Sequence, residues 1–255
     1  PEAAIASLVL VYAIAAAINL RIPHTGVRMR PLPDRTLSLL PDFWRCNARL
    51  WRDKLGQISL ATTTLFWGVS GNMRYIVLAW AAAALHYSTT QAAGLVGVVA
   101  IGTAVGAVLA SMRVRLDRAI GVMPLGVLMG ALVVLMVFVD RLWLAVPFLI
   151  FMGALGGYIV VPMNALLQHR GHNLMGAGRS IAVQNFNEQA CILGLGALYS
   201  ASAGVGLSAF GAIALFGAVV IAFMLLIQRW HRHNLRRYPG KVERLLNIAR
   251  RDRGH

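Results

Sequence analysis

Acidic side chains are scarce in this chain. Nine Asp plus Glu stand against 24 Lys plus Arg among 255 residues, a formal charge of +15. Charge of either sign is thin as well: 13% of the residues are charged, against about 25% in a soluble domain. Cysteine is nearly absent. Cys46 and Cys191 are too few and too far apart for a disulfide scaffold or a metal knuckle. No P-loop, no G-x-G-x-x-G fingerprint and no H-E-x-x-H occurs. His169 and His172 lie three apart without an Asp, Glu or Cys in their loop. No metal and no other cofactor is therefore expected. What is abundant is apolar: 58% of the residues, well above the roughly 45–50% of soluble domains. A basic surplus alone would suggest nucleic acid. Here the bases sit in short clusters between long apolar runs, which points to a membrane and not to nucleic acid.

A spanning helix needs about 20 mostly apolar residues. Seven stretches qualify: 3–20, 56–85, 91–111, 119–139, 142–165, 180–202 and 206–228. The stretch 56–85 is long for a bilayer and must tilt, or break near Gly68-Val69-Ser70-Gly71. The Lys and Arg positions alternate at every crossing. Eight lie in 21–54, three at 113–118, two at Arg170 and Arg179 and nine in 229–253, so 22 of the 24 fall on one side. The positive-inside rule makes that side cytoplasmic, with the tail inside and Pro1 at the outer face.

The 21–54 connection is the longest, and Pro31, Pro33 and Pro41 interrupt it. Beyond them, Trp44, Leu50 and Trp51 alternate with Arg45, Arg49 and Arg52. That pattern suits either a helix lying in the headgroup layer or a solvated linker. In the tail, Val242, Leu245, Leu246 and Ala249 recur at helical spacing among bases, a second candidate surface helix on anionic lipid. One span, a long basic linker and six tightly spaced spans is the pattern of a twelve-span transporter cut part-way. The chain also begins with its apolar run under way and without Met. The expectation is a piece of a longer carrier, whose N-terminal half would be its missing partner. Three glycine pairs, Gly102/Gly106, Gly126/Gly130 and Gly153/Gly157, lie four apart. That spacing lets helix backbones approach closely.

A charge at the bilayer centre costs roughly 2.5–3.5 kcal/mol on insertion scales. Arg74 and Glu188 are the ionisable residues well inside spans. At about 1.5 Å per residue, Arg74 lies roughly 25 Å in and Glu188 roughly 15 Å in, so a direct pair needs a broken or tilted helix. Arg74 can meet an acid elsewhere in the protein, hold a ligand phosphate through its planar fork, or snorkel to the interface. Gln184, Glu188 and Cys191 share one helix face, with Asn185 and Gln189 beside it. They line a cavity or bond other helices. Pro162 and Asn164 mark either a substrate-binding break or an ordinary kink.

Val161-Pro162-Met163-Asn164-Ala165-Leu166-Leu167-Gln168 and Gly176-Ala177-Gly178-Arg179-Ser180-Ile181-Ala182-Val183-Gln184-Asn185 resemble the bacterial lysophospholipid transporter family of the major facilitator superfamily. The resemblance implies an all-α polytopic fold. Residues 1–20 would be the last helix of the N-terminal half and 21–54 the central cytoplasmic linker. Residues 55–228 would form the C-terminal six-helix bundle and 229–255 a basic cytoplasmic tail. The Arg113–Arg118 loop looks like a degenerate copy of the superfamily's basic motif. The implied activity is inward movement of lysophosphatidylethanolamine and lysophosphatidylglycerol across the bacterial inner membrane. A cytoplasmic acyltransferase then re-acylates them. The expected substrate contacts are Arg74 for the phosphate, with Asn72, Asn164 and Glu188 meeting hydroxyl or ammonium groups. Gln184 and Asn185 complete the candidate set. Membrane lipids are the remaining expected partners, and no enzymatic role is expected.

Three other readings compete. One is another major facilitator carrier, such as a drug exporter. The second is an intramembrane serine protease: Gly68-Val69-Ser70-Gly71 has the G-x-S-G form found around the rhomboid nucleophile, but no mid-span histidine is available as base. The third is a fused acyltransferase, which needs a His followed by Asp after four residues, and none of the seven histidines has it.

Overall fold

The computed structural model describes residues 2–21 and 39–251, with side chains from 5 and up to 250. Pro31, Pro33 and the end of the tail lie outside the described residues. No strand occurs among those described. The chain divides into two compact units, Pro1–Leu39 and Leu40–His255. In the first, α1 (Glu2–Asn19) is a single apolar helix.

In the second unit, α2 (Leu39–Arg52) places Pro41 and Asp42 in its first turn and Arg49 and Arg52 in its last. Each suits its end of the helix dipole, and proline there costs no hydrogen bond. Asp53 ends α2 and starts α3 (Gly56–Leu85): its Oδ1 accepts from the backbone N–H of Gly56 at 2.7 Å. Ser88 and Gln91 form a capping box that opens α4 (Thr89–Arg113). A 3-10 segment, Leu116–Val122, leads into α5 (Pro124–Leu135), and a second, Met136–Phe138, follows it. Next come α6 (Leu142–Met175), α7 (Ala177–Gly204), α8 (Ala209–Arg237) and α9 (Pro239–Arg251). Gly176 joins α6 to α7 at φ 85°, a left-handed conformation that favours glycine.

Among the described residues, four segments are long and apolar enough to cross a membrane: Thr89–Arg113, Leu116–Phe138, Leu142–Met175 and Ala209–Arg237. The protein is a polytopic all-α membrane protein. Of the other stretches expected to span, α3 and α7 are long enough, at 30 and 28 residues, but more polar. Much of that polarity is turned inward: Thr62, Thr63, Asn72, Gln184 and Glu188 are all buried. The apolar part of α1, Ile5–Asn19, is shorter.

Of the alternatives left open by the sequence, neither break occurs. The helix α3 runs unbroken through Gly68–Gly71, and α6 runs unbroken through Pro162. The glycine pairs do bring helices together, in two different pairings. A Cβ on Gly102 or Gly106 would strike the carbonyls of Ile150 and Ala154 on α6. A Cβ on Gly153 or Gly157 would strike those of Val99 and Thr103 on α4. Gly126 and Gly130 instead admit Met224 and Ile221 of α8.

The two amphipathic helices, α2 and α9, each carry an apolar face. Each turns apolar residues toward the protein. Cys46 and Leu50 of α2 are buried, and so are Val242 and Ala249 of α9, because the bundle offers both helices an apolar seat. Arg250 of α9 bonds Asp117, whose carboxylate also pairs with Arg115.

Candidate functional site

The polar residues of α7 converge with α6. Gln184 donates through Nε2 to Asn164 Oδ1 at 2.7 Å and to Glu188 Oε1 at 2.8 Å. Gln184 and Glu188 are buried, four residues apart on one helix face, so a single amide bridges both acceptors. The carbonyl oxygen of Gln184 is buried without a partner among the described residues. Three hydrogen-bonding groups thus meet inside an otherwise apolar bundle, with acceptor capacity to spare.

Asn72 lies on α3. It donates through Nδ2 to Gly68 O at 2.8 Å and to Ile192 O at 3.0 Å, tying α3 to α7. No hydrogen bond links it to the Asn164–Gln184–Glu188 cluster among the described residues. Arg74 is exposed, and its guanidinium bonds the Tyr75 hydroxyl and covers the Tyr75 ring, 4.5 Å from the centroid. Arg74 and Glu188 do not pair. Asn185 is exposed and joins none of these contacts. Of the six sequence candidates, the structure groups Asn164, Gln184 and Glu188, sets Asn72 beside α7 and leaves Arg74 and Asn185 on the surface. Ser70 is exposed as well, and no histidine bonds it among the described residues.

Residues that sequence reasoning passed over knit the basic end of the bundle. Asn187, not Asn185, meets α2: it donates to Asn47 Oδ1 at 2.9 Å and accepts from Trp51 Nε1 at 3.3 Å. Arg170 grips Asp53 with two bonds, Nη2 to Oδ2 at 2.7 Å and Nε to Oδ1 at 3.2 Å, in a pair whose side chains are 5% and 10% exposed. A bidentate fork of this kind fixes orientation as well as distance. Asp42 pairs with Arg179 at 2.7 Å at the other end of α2. Phe43, Trp44 and Phe186 form an edge-to-face trio between α2 and α7. The residues involved stand more than 100 positions apart, so only the acids' rarity hinted that each would be paired.

Trp51 also stacks on Trp230 of α8, with centroids 6.0 Å apart and planes 5° from parallel. With its amide turned toward α2, Gln57 donates to Trp51 O at 2.8 Å and accepts from Trp230 Nε1 at 3.2 Å. This tryptophan pair lines a cavity of about 710 Å³ with walls from α3, α7 and α8, among them Thr64, Leu65, Cys191, Leu195 and Phe223.

An apolar chamber beside buried hydrogen-bonding groups suits an amphiphile. Over 199 residues the chain is 38% identical to the "Lysophospholipid transporter LplT" of Yersinia pestis (strain Pestoides F) and to that of Yersinia pseudotuberculosis serotype O:3 (strain YPIII). The chain is a relative of these transporters. The match takes in 78% of the chain and 49% of each relative, so the chain spans about half the length of the curated relatives it matches. The family resemblance seen in 161–168 and 176–185 is borne out. No family profile matches the chain. No solved structure matches it either.

Proposed function

We propose that this chain is the C-terminal part of a lysophospholipid carrier. It would move lysophosphatidylethanolamine and lysophosphatidylglycerol from the outer to the inner leaflet of a bacterial inner membrane. The observation that carries this is the 38% identity over 199 residues to proteins named as lysophospholipid transporters. The domain plan that goes with it takes 1–20 as the last helix of the first half and 21–54 as the central linker. It takes 55–228 as the second six-helix half and 229–255 as the tail. The basic end would face the cytoplasm, as the clustering of bases there supports. An acyltransferase on that side would consume the delivered lysolipid.

In this scheme Asn164, Gln184 and Glu188 supply the polar end of the path. Glu188 and the spare carbonyl of Gln184 accept from the ammonium or hydroxyl groups of a headgroup. Asn72 holds α3 against α7 beside them. Arg74, whose hydrogen bond and ring contact are both with its neighbour Tyr75, is free to turn toward a phosphate and grip it bidentately. Nothing in the structure favours a drug exporter or a protease over this function.

The test is lysolipid uptake into spheroplasts by the complete polypeptide, with any residues that precede Pro1 present. Arg74→Ala is expected to lower uptake at least about tenfold, since a hydrogen bond to a charged group is worth ~1.5–3 kcal/mol. Uptake at the unsubstituted rate, with normal amounts of protein in the membrane, would remove Arg74 from the headgroup path.

A further inference from the structure

One stripe along α7 changes character part-way. Gln184 and Glu188 are polar and hydrogen-bonded. Cys191, Leu195 and Leu198 continue the same face at steps of three and four, and all three line the cavity of about 710 Å³. Cys191 stands a single turn from Glu188. Polar groups and an apolar chamber therefore follow each other along one helix, as the two ends of a single-tailed lipid do.

The chamber is not made for water or for a charged ligand. Its lining is aliphatic and aromatic apart from the Thr64 hydroxyl, the Cys191 thiol and the indole N–H groups of Trp51 and Trp230. The Trp51 N–H is already spent on Asn187 and the Trp230 N–H on Gln57. That leaves the Thr64 hydroxyl and the Cys191 thiol as the free polar groups in an otherwise apolar lining. It lies among the helices of a membrane protein, walled by α3, α7 and α8. Its size falls within the roughly 300–1,000 Å³ of ordinary ligand sites. Gly194 helps to leave the space: a Cβ built there would meet nothing within 4 Å.

We infer that the cavity between α3, α7 and α8 receives the single acyl chain of a lysolipid whose polar end meets Asn164, Gln184 and Glu188. This rests on the carrier function proposed above and adds the place of the tail. The stacked Trp51 and Trp230, at the basic end of the chamber, bound the tail on that side. They are clamped by hydrogen bonds to α3 and α7 and so form a firm wall.

The experiment uses the complete polypeptide in vesicles with a lysophosphatidylethanolamine that carries a diazirine near the end of its chain. After illumination, adducts are mapped by peptide mass spectrometry. Adducts on Leu198, Phe223 and Leu226 are expected. Gly194→Phe fills the chamber from a position that touches nothing, and should lower their yield at least about tenfold, the effect of displacing two buried methylenes. Gly97→Phe is the matched control on α4, where an added Cβ also meets nothing within 4 Å. It should leave the pattern unchanged. Adducts elsewhere, indifferent to Gly194→Phe, would overturn the tail site and leave the carrier function standing. Equal labelling of the chamber by a two-chain phosphatidylethanolamine probe would make it a general lipid groove and also overturn the inference. A probe that neither labels the protein nor competes with unlabelled lysolipid would overturn the carrier function, and the tail site with it.

Discussion

Two pairs of long helices are packed in opposite ways. Between α4 and α6, glycines Gly102, Gly106, Gly153 and Gly157 put backbone directly against backbone, each pair admitting the other helix's carbonyls. Between α3 and α7, Gly68 admits the ends of side chains, Cys191 Sγ and Leu195 Cδ1. A polar side chain, Asn72, makes the cross-link there. The first seam has no slack, because no side chain there can rotate out of the way. The second has adjustable parts, and it adjoins both the buried polar cluster and the large cavity. Tight small-residue packing suits a wall, whereas an interface of rotatable side chains suits a surface that must open and close round a ligand.

The largest expected effect breaks the first seam. In Gly106→Ala the new methyl would meet the Ala154 carbonyl oxygen, which belongs to a helix backbone and cannot rotate aside. The helices must separate, losing contacts along their length. Overpacking costs typically about 1–3 kcal/mol, and this rigid case belongs at or above the top of that range. Unfolding by titration with SDS, read from the loss of ordered tryptophan emission, measures it. A loss below about 1 kcal/mol would show that the seam has the slack denied to it here.

The next effect sharpens the contrast at the other seam. Asn72→Ala removes the bonds to Gly68 O and Ile192 O from a residue that is 5% exposed. Side-chain hydrogen bonds between membrane helices average about 0.6 kcal/mol and reach about 1.7. The expected loss in the same SDS titration is therefore about 1 kcal/mol. A loss as large as that of Gly106→Ala would mean that both seams are equally rigid.

The sequence makes the contrast visible only in part. Glycines four apart announce close packing, but nothing in Gly102/Gly106 says that Gly153/Gly157 answers it while Gly126/Gly130 turns to α8. Polar residues inside an apolar run announce an interior contact, so Gln184 and Glu188 stand out. The choice between Asn185 and Asn187 depends on which helix packs there, and α2 takes Asn187. Alternating clusters of bases mark the ends of the spans. They do not show that Asp53 reaches Arg170, because an acid next to a helix terminus looks the same solvated or buried. Trp51 reads as a headgroup residue, since tryptophan favours that layer. Its partners, Trp230 and Asn187, lie on helices distant in sequence.

The smallest expected effect is the most discriminating. Gly68→Ala also adds a methyl to a glycine inside a helix at a helix–helix contact. Here the nearest obstacles are Cys191 Sγ and Leu195 Cδ1, the latter at 2.9 Å, and both are ends of flexible side chains. Their rotation costs something, while alanine gains about 0.8–1.0 kcal/mol over glycine in helix propensity. The two nearly cancel, so the SDS midpoint should move little, by an amount equivalent to under about 0.5 kcal/mol. Both substitutions are glycine to alanine and differ only in what the methyl meets. If Gly68→Ala destabilised as strongly as Gly106→Ala, the kind of atom facing the glycine would not be what separates the two seams. If it is neutral while lowering lysolipid labelling in the chamber, the adjustable seam serves the ligand and not the fold.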